Sequence, residues 1–189
     1  MSAADEPALS LSEWLVLCLI CEKPTHGSAI VGLLASGGGL GQVWRVHKSV
    51  IYRAVERLEV LGLVRTAGEQ PSSKGPVRSL VEATAAGQAA ARAWLRRPVP
   101  HARDIRSELL VKLALLDRVG TDSGELLLAQ QEQLAPIAEA LADRLNAATG
   151  FDRTVALWRH ETITATLRFL DALPLQSPLT GTTGRIHHS

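Results

Sequence analysis

The stretch VWRVHKSVIYRAVERLEVLGLVR, Val43 to Arg65, restricts the fold more than any other part of the chain. Ile51, Val55, Leu58 and Leu61 recur at spacings of four, three and three, which lays them along one face of an α-helix. Lys48, Tyr52, Arg53, Glu56 and Arg57 fall away from that stripe, and Gly62 stands where a helix commonly ends. One side of this helix suits a core. The other offers cations and hydrogen-bond donors to something acidic.

The flanks predict a mainly α chain with a small β-hairpin. Ser12 is the expected N-cap of a first helix reaching about Glu22, apolar around nearly its whole circumference. Lys23-Pro24 breaks it, and Thr25 caps a second helix to about Ser36. The glycines of Ser36–Gln42 predict a connection without regular structure. After the third helix, Leu63–Thr66 and Val77–Val81 read as two short strands around a polar tip, AGEQPSSKGP, that carries Lys74. Thr84 caps an alanine-rich fourth helix. The expected domains are a winged helix-turn-helix over 9–96, a proline-rich linker over 97–102, an antiparallel helical domain over 103–171 and a flexible tail over 172–189. Three helices are expected beyond the linker, at about 103–117, 122–148 and 152–171, with Pro136 a point where the middle one would kink.

Charge divides the chain unevenly. Residues 41–97 hold ten Lys/Arg against four acids, a net +6 that leaves −5 for the rest of a chain whose total is +1. A cationic block between acidic flanks is the asymmetry expected where one region meets a polyanion. Three helices and a hairpin in this order are the layout of a winged helix-turn-helix, whose third helix enters the major groove of DNA. The candidate DNA-binding residues are Lys48, Ser49, Tyr52 and Arg53 on the first turns of that helix, then Arg57, with Lys74 and Arg78 on the hairpin. Tyr52 is placed either against phosphate and sugar or at the helix-turn-helix seam. Arg57 has Glu56 and Glu59 as alternative partners. Trp44 reads as core.

Enzyme chemistry finds no support in the sequence. No glycine-rich phosphate loop, HExxH or GxSxG occurs, and His26, His47, His101 and His160 stand apart from any nucleophile. Cys18 and Cys21 form a CxxC inside an apolar run with no second pair, so they read as buried structural thiols and no cofactor or metal is expected. No apolar run approaches the roughly 18 residues needed to span a bilayer, and the start lacks the basic residues of a secretory signal, so a cytoplasmic location is expected. The alternative to a DNA regulator is a helical protein-interaction module whose winged domain does not read DNA.

Four segments together resemble the PadR family of transcriptional regulators: KPTHGSAI (Lys23–Ile30), the Val43–Arg65 stretch, EATAAGQAAARAWL (Glu82–Leu95) and RDIRSELLVKLALL (Arg103–Leu116). The resemblance extends over about residues 9–171. Departures are Ser28 where the family usually has Tyr, Val50-Ile51-Tyr52 for Ser/Leu-Leu-Tyr, and Val81 and Ala83 at wing positions that often carry Tyr and Leu. The resemblance implies a homodimeric regulator, mostly a repressor, on a pseudo-palindromic operator and sometimes relieved by a small molecule or stress. It implies dimerisation through the C-terminal helices, where Leu127, Leu134, Ile137, Leu141, Leu145, Trp158, Phe169 and Leu170 are the candidates. Trp94 is the candidate effector contact, because in some relatives a Trp there lines a pocket between subunits.

Overall fold

The structure is a computed structural model, and it describes residues 8–35, 39–70 and 78–173, without the side chains of 69, 70 and 78. The hairpin tip with Lys74, the side chain of Arg78 and the tail from 174 lie outside the described residues. The chain divides into two compact units, Met1–Leu115 and Leu116–Ser189.

The first unit is built around α1 (Leu11–Glu22), in which seven consecutive residues, Trp14 to Ile20, are buried. A helix apolar on all sides has to be wrapped by others, and here α4 (Lys48–Val60), α5 (Ala85–Arg96) and β2 (Arg78–Ala83) pack against it. Its cap is Ser10 rather than Ser12. Glu13 returns a bond to the Ser10 backbone N–H at 2.6 Å, closing a capping box. Ser12 is used elsewhere, accepting the Trp44 indole N–H at 3.2 Å.

The second helix also starts later than its sequence suggests. α2 runs Gly27–Ala35, with His26 Nδ1 accepting the Ala29 N–H at 3.0 Å in place of a Thr25 cap. Thr25 instead exchanges two backbone hydrogen bonds with Val81, at 2.9 and 2.7 Å, and so extends the hairpin sheet by one bridge. Part of the glycine-rich connection is helical too. α3 (Leu40–Val43) forms because Leu40 is buried in the core and pins the turn.

α4 ends in a Schellman motif. Gly62 takes φ +68°, its N–H donates to the Glu59 carbonyl and the Leu63 N–H to the Leu58 carbonyl, both at 2.9 Å. The chain turns directly into β1 (Val64–Gln70), which pairs antiparallel with β2, and both strands are longer than predicted. The register slips between Thr66 and Gly68, a bulge that leaves Ala67 unpaired. Thr84 caps α5 as expected, accepting from the Gly87 N–H at 3.1 Å while donating to the Gly62 carbonyl at 2.8 Å.

The predicted helix over 103–117 is three segments: a 3₁₀ turn (Ala102–Asp104), a π turn (Ile105–Leu109) and α6 (Leu110–Arg118). Val111 and Leu115 of α6 belong to the same core as Trp14 and Trp94.

In the second unit, α7 (Gly124–Ala147) and α8 (Gly150–Ala172) form an antiparallel hairpin. Gln131 near its open end donates to Asp171 at 2.7 Å, and Arg153 near the turn donates to the Leu145 carbonyl at 2.9 Å. Leu127 and Leu134, like Ala156, Ile163 and Leu170, repeat every seven residues and are buried. α7 continues as one helix through Pro136. Among the described residues, no helix is long and apolar enough to cross a membrane.

Candidate nucleic-acid interface

α4 presents the two faces its sequence announces. Ile51, Ala54 and Leu58 are buried against the core, while Lys48, Ser49, Tyr52 and Arg53 are exposed on the opposite side. His47 caps the helix, its Nδ1 within 2.9 Å of the Ser49 hydroxyl. The Lys48 ammonium lies 5.8 Å from the centre of the Tyr52 ring, a cation–π arrangement that keeps the two side chains together.

Tyr52 sits at the seam between α2 and α4 with part of its ring exposed. It is 39% exposed, yet its ring lies so close to Gly27 that a Cβ there would approach Cε1 to 2.9 Å. The bare backbone at Gly27 lets α2 meet α4 at this seam. The phenol extends beyond it toward solvent.

The cations differ in how far they are engaged. Arg57 is held by Glu13 of α1 at 3.0 Å, not by Glu56 or Glu59. Arg65 is held across the strands by Glu82 at 2.6 Å, and Glu59 accepts from the Thr66 hydroxyl at 3.0 Å. Lys48 and Arg53 make no ion pair among the described residues, and neither does the exposed Arg45 just before the helix. Arg45 was visible in the sequence as part of the charge block but not as a site residue. The Glu13–Arg57 pair carried no local signal, because it joins residues on separate helices.

The sequence reading also missed a buried cation. Lys112 is 0% exposed, its ammonium donating to the Arg97 carbonyl at 2.7 Å and pairing with Glu108 at 2.8 Å. It sits 4.7 Å from the centre of the Trp94 ring. Burial pulls its pKa below the ordinary lysine value, and the Glu108 carboxylate works against that shift. Trp94 is itself 1% exposed and stacks on Trp14 with ring centres 5.3 Å apart. The thiols are free, Cys18 buried and Cys21 partly so. Burial raises both pKa values, that of Cys21 to about 11, so neither is a ready nucleophile at neutral pH.

Residues 16–93, from within α1 to the last turn of α5, match the family model of the transcriptional regulator PadR-like family. That segment is a PadR-like domain. The family it matches is one of transcriptional regulators, which supports DNA binding by this part of the chain. Solved structures similar to it include PadR of Bacillus subtilis in complex with operator DNA, at 16% identity and a TM-score of 0.47, covering 87% of this chain and 97% of that one. PadR of the same organism in complex with p-coumaric acid is similar at 18% identity and a TM-score of 0.41, covering 86% and 95%. None of the curated protein sequences matches the chain.

Of the residues proposed for dimerisation, Leu127, Leu134 and Leu170 are buried within the single chain. Leu141 and Leu145 are partly buried, and Ile137, Trp158 and Phe169 are exposed.

Proposed function

We propose that the chain acts as a homodimeric repressor that lays α4 of each PadR-like domain into successive major grooves of a pseudo-palindromic operator, and that a small molecule or stress signal relieves it. The observation that carries this reading is the exposed face of α4, where Lys48 and Arg53 have no acidic partner among the described residues and stand beside Ser49 and Tyr52. An α-helix of about 10–12 Å diameter fits the major groove, and donors on its exposed side can reach both base edges and phosphates. Lys74 and Arg78 of the wing would lie along the neighbouring backbone, adding affinity and salt dependence but little sequence choice. Arg57, with Glu13 on it, is the weakest member of the set.

One such domain covers few base pairs, so a second copy is needed for useful specificity. α8 offers a surface for it: Phe151 and Trp158 are 79% and 72% exposed, seven residues apart on one helix face with Val155 between them. Exposed aromatics of this size are unusual on a helix that remains in water. The buried leucines of the α7–α8 hairpin shape that surface from beneath.

Selection from a random DNA pool followed by footprinting tests the reading. The expected site has two inverted half-sites whose centres lie about 10 base pairs, or a small multiple, apart. Recovery of no preferred sequence, with binding equal on all DNA, would leave a protein-interaction module as the better account.

A further inference from the structure

His47 and Ser49 are joined at the start of α4. The His47 Nδ1 lies 2.9 Å from the Ser49 hydroxyl and also accepts the Ser49 backbone N–H at 3.4 Å. We propose that this pair fixes what Ser49 can read on DNA. With its hydrogen given to His47, the hydroxyl offers only lone pairs, so it selects a base that presents an amino group in the major groove, adenine or cytosine. The proposal rests on the regulator reading above and names what one residue of its recognition face reads.

The backbone decides which way the hydroxyl bond runs. An amide N–H can only donate, so the nitrogen it points to must carry a lone pair. His47 Nδ1 is therefore unprotonated, and the single N–H of the neutral ring is on Nε2. Facing an acceptor nitrogen at 2.9 Å, the hydroxyl is the donor. The same arrangement opens α2, where His26 Nδ1 accepts the Ala29 N–H at 3.0 Å and the Ser28 hydroxyl lies 3.0 Å from it. The two serines differ in what they face. Ser28 is partly buried, whereas Ser49 is exposed, one turn before Tyr52 and Arg53.

A serine hydroxyl ordinarily turns its hydrogen to suit either kind of partner, which makes it a poor discriminator of bases. Ser49 has lost that freedom. Phosphate oxygens, guanine N7 and O6 and thymine O4 are all acceptors and offer it no bond, while the adenine N6 and cytosine N4 amino groups are the donors of the major groove. Lys48 and Arg53 carry only donors and suit the opposite partners, phosphates and guanine. His47 is thus a positioning residue that acts through Ser49.

The test is selection from a random DNA pool by the full chain as wild type, Ser49→Ala, His47→Asn and His47→Ala. Wild type should select adenine or cytosine at one position of each half-site where Ser49→Ala no longer chooses. Asparagine is a good N-cap whose carbonyl can take the same hydroxyl hydrogen, so His47→Asn should keep the wild-type base. His47→Ala frees the hydrogen and should admit guanine or thymine there. Deleting the amino group from the selected site, with purine for adenine or pyrimidin-2-one for cytosine, should weaken wild-type binding by about fivefold or more and leave Ser49→Ala unmoved. A His47→Ala variant that binds more weakly with unchanged base choice would make His47 a helix cap alone and overturn the proposal. Guanine or thymine at the Ser49-dependent position, or no such position, would overturn it too. Nitrogen-15 spectra of the imidazoles in mildly alkaline solution add a readout that needs no DNA: the His47 hydrogen is expected on Nε2, and finding it on Nδ1 would overturn the proposal while leaving the regulator reading intact. A pool that yields no preferred sequence would remove the regulator reading and this base choice together.

Discussion

Gly87 is where a single atom matters most to this fold. A Cβ there would run into the Leu63 carbonyl oxygen and approach Leu17 Cδ1 to 3.3 Å, so α5 can lie on the α4–β1 turn because this position has no side chain. The obstacle is backbone, which cannot swing aside. Gly87→Ala should therefore destabilise the first unit by about 1–3 kcal/mol in urea unfolding, despite alanine's better helix propensity. An unchanged midpoint would mean that α5 has room the structure does not show. Tyr52 shows the same logic from the other side: the missing side chain at Gly27 is what gives its ring a place at the seam.

At the scale of elements, Lys112 ties three of them together: the Arg97 carbonyl after α5, Glu108 of the π turn, and α6, which carries it. Its lowered pKa means the folded chain releases this proton at lower pH than the unfolded chain does. The unfolded state then holds more protons, so this group makes stability rise with pH as pH climbs toward about 10.4. The thiols act in the opposite sense, since Cys21 keeps its proton to about 11 when folded and would lose it earlier unfolded. The difference between wild type and Lys112→Met isolates the lysine. It should shift in favour of the wild type with rising alkalinity, as measured by urea unfolding, and a flat difference would show that Lys112 is solvated. None of this could be read from the sequence, where Lys112 is one cation in an ordinary amphipathic run. Periodicity and caps marked the number and order of most elements, and the stripe of α4 was legible at Ile51 and Leu58, whereas Ala54 is buried in addition, Val55 only partly so, and Leu61 is 42% exposed. Helix starts were less so. Ser12 and Thr25 looked like caps but are used by Trp44 and Val81, partners 32 and 56 residues away.

At the scale of the whole molecule, the proposed repressor is two copies on one polyanion. Replacing Phe151 and Trp158 together by Ser should turn the dimer into a monomer in sedimentation equilibrium while leaving the α7–α8 hairpin folded, because both side chains project into solvent within one chain. A variant that stays dimeric would move the interface elsewhere. The charge block and the helix order marked in the sequence the exposed cationic side of α4 that is proposed to meet DNA. The sorting of its cations was not, since Glu13 and Glu82 reach Arg57 and Arg65 only in the folded chain. The most direct test of the central claim is the salt dependence of binding to the selected DNA site, for wild type, Lys48→Ala/Arg53→Ala and Arg57→Ala. If α4 is the recognition helix, the double variant loses most of its affinity and its log–log salt slope falls by about one for each phosphate contact removed, while Arg57→Ala stays near wild type. A double variant with wild-type affinity and slope would take α4 out of the interface.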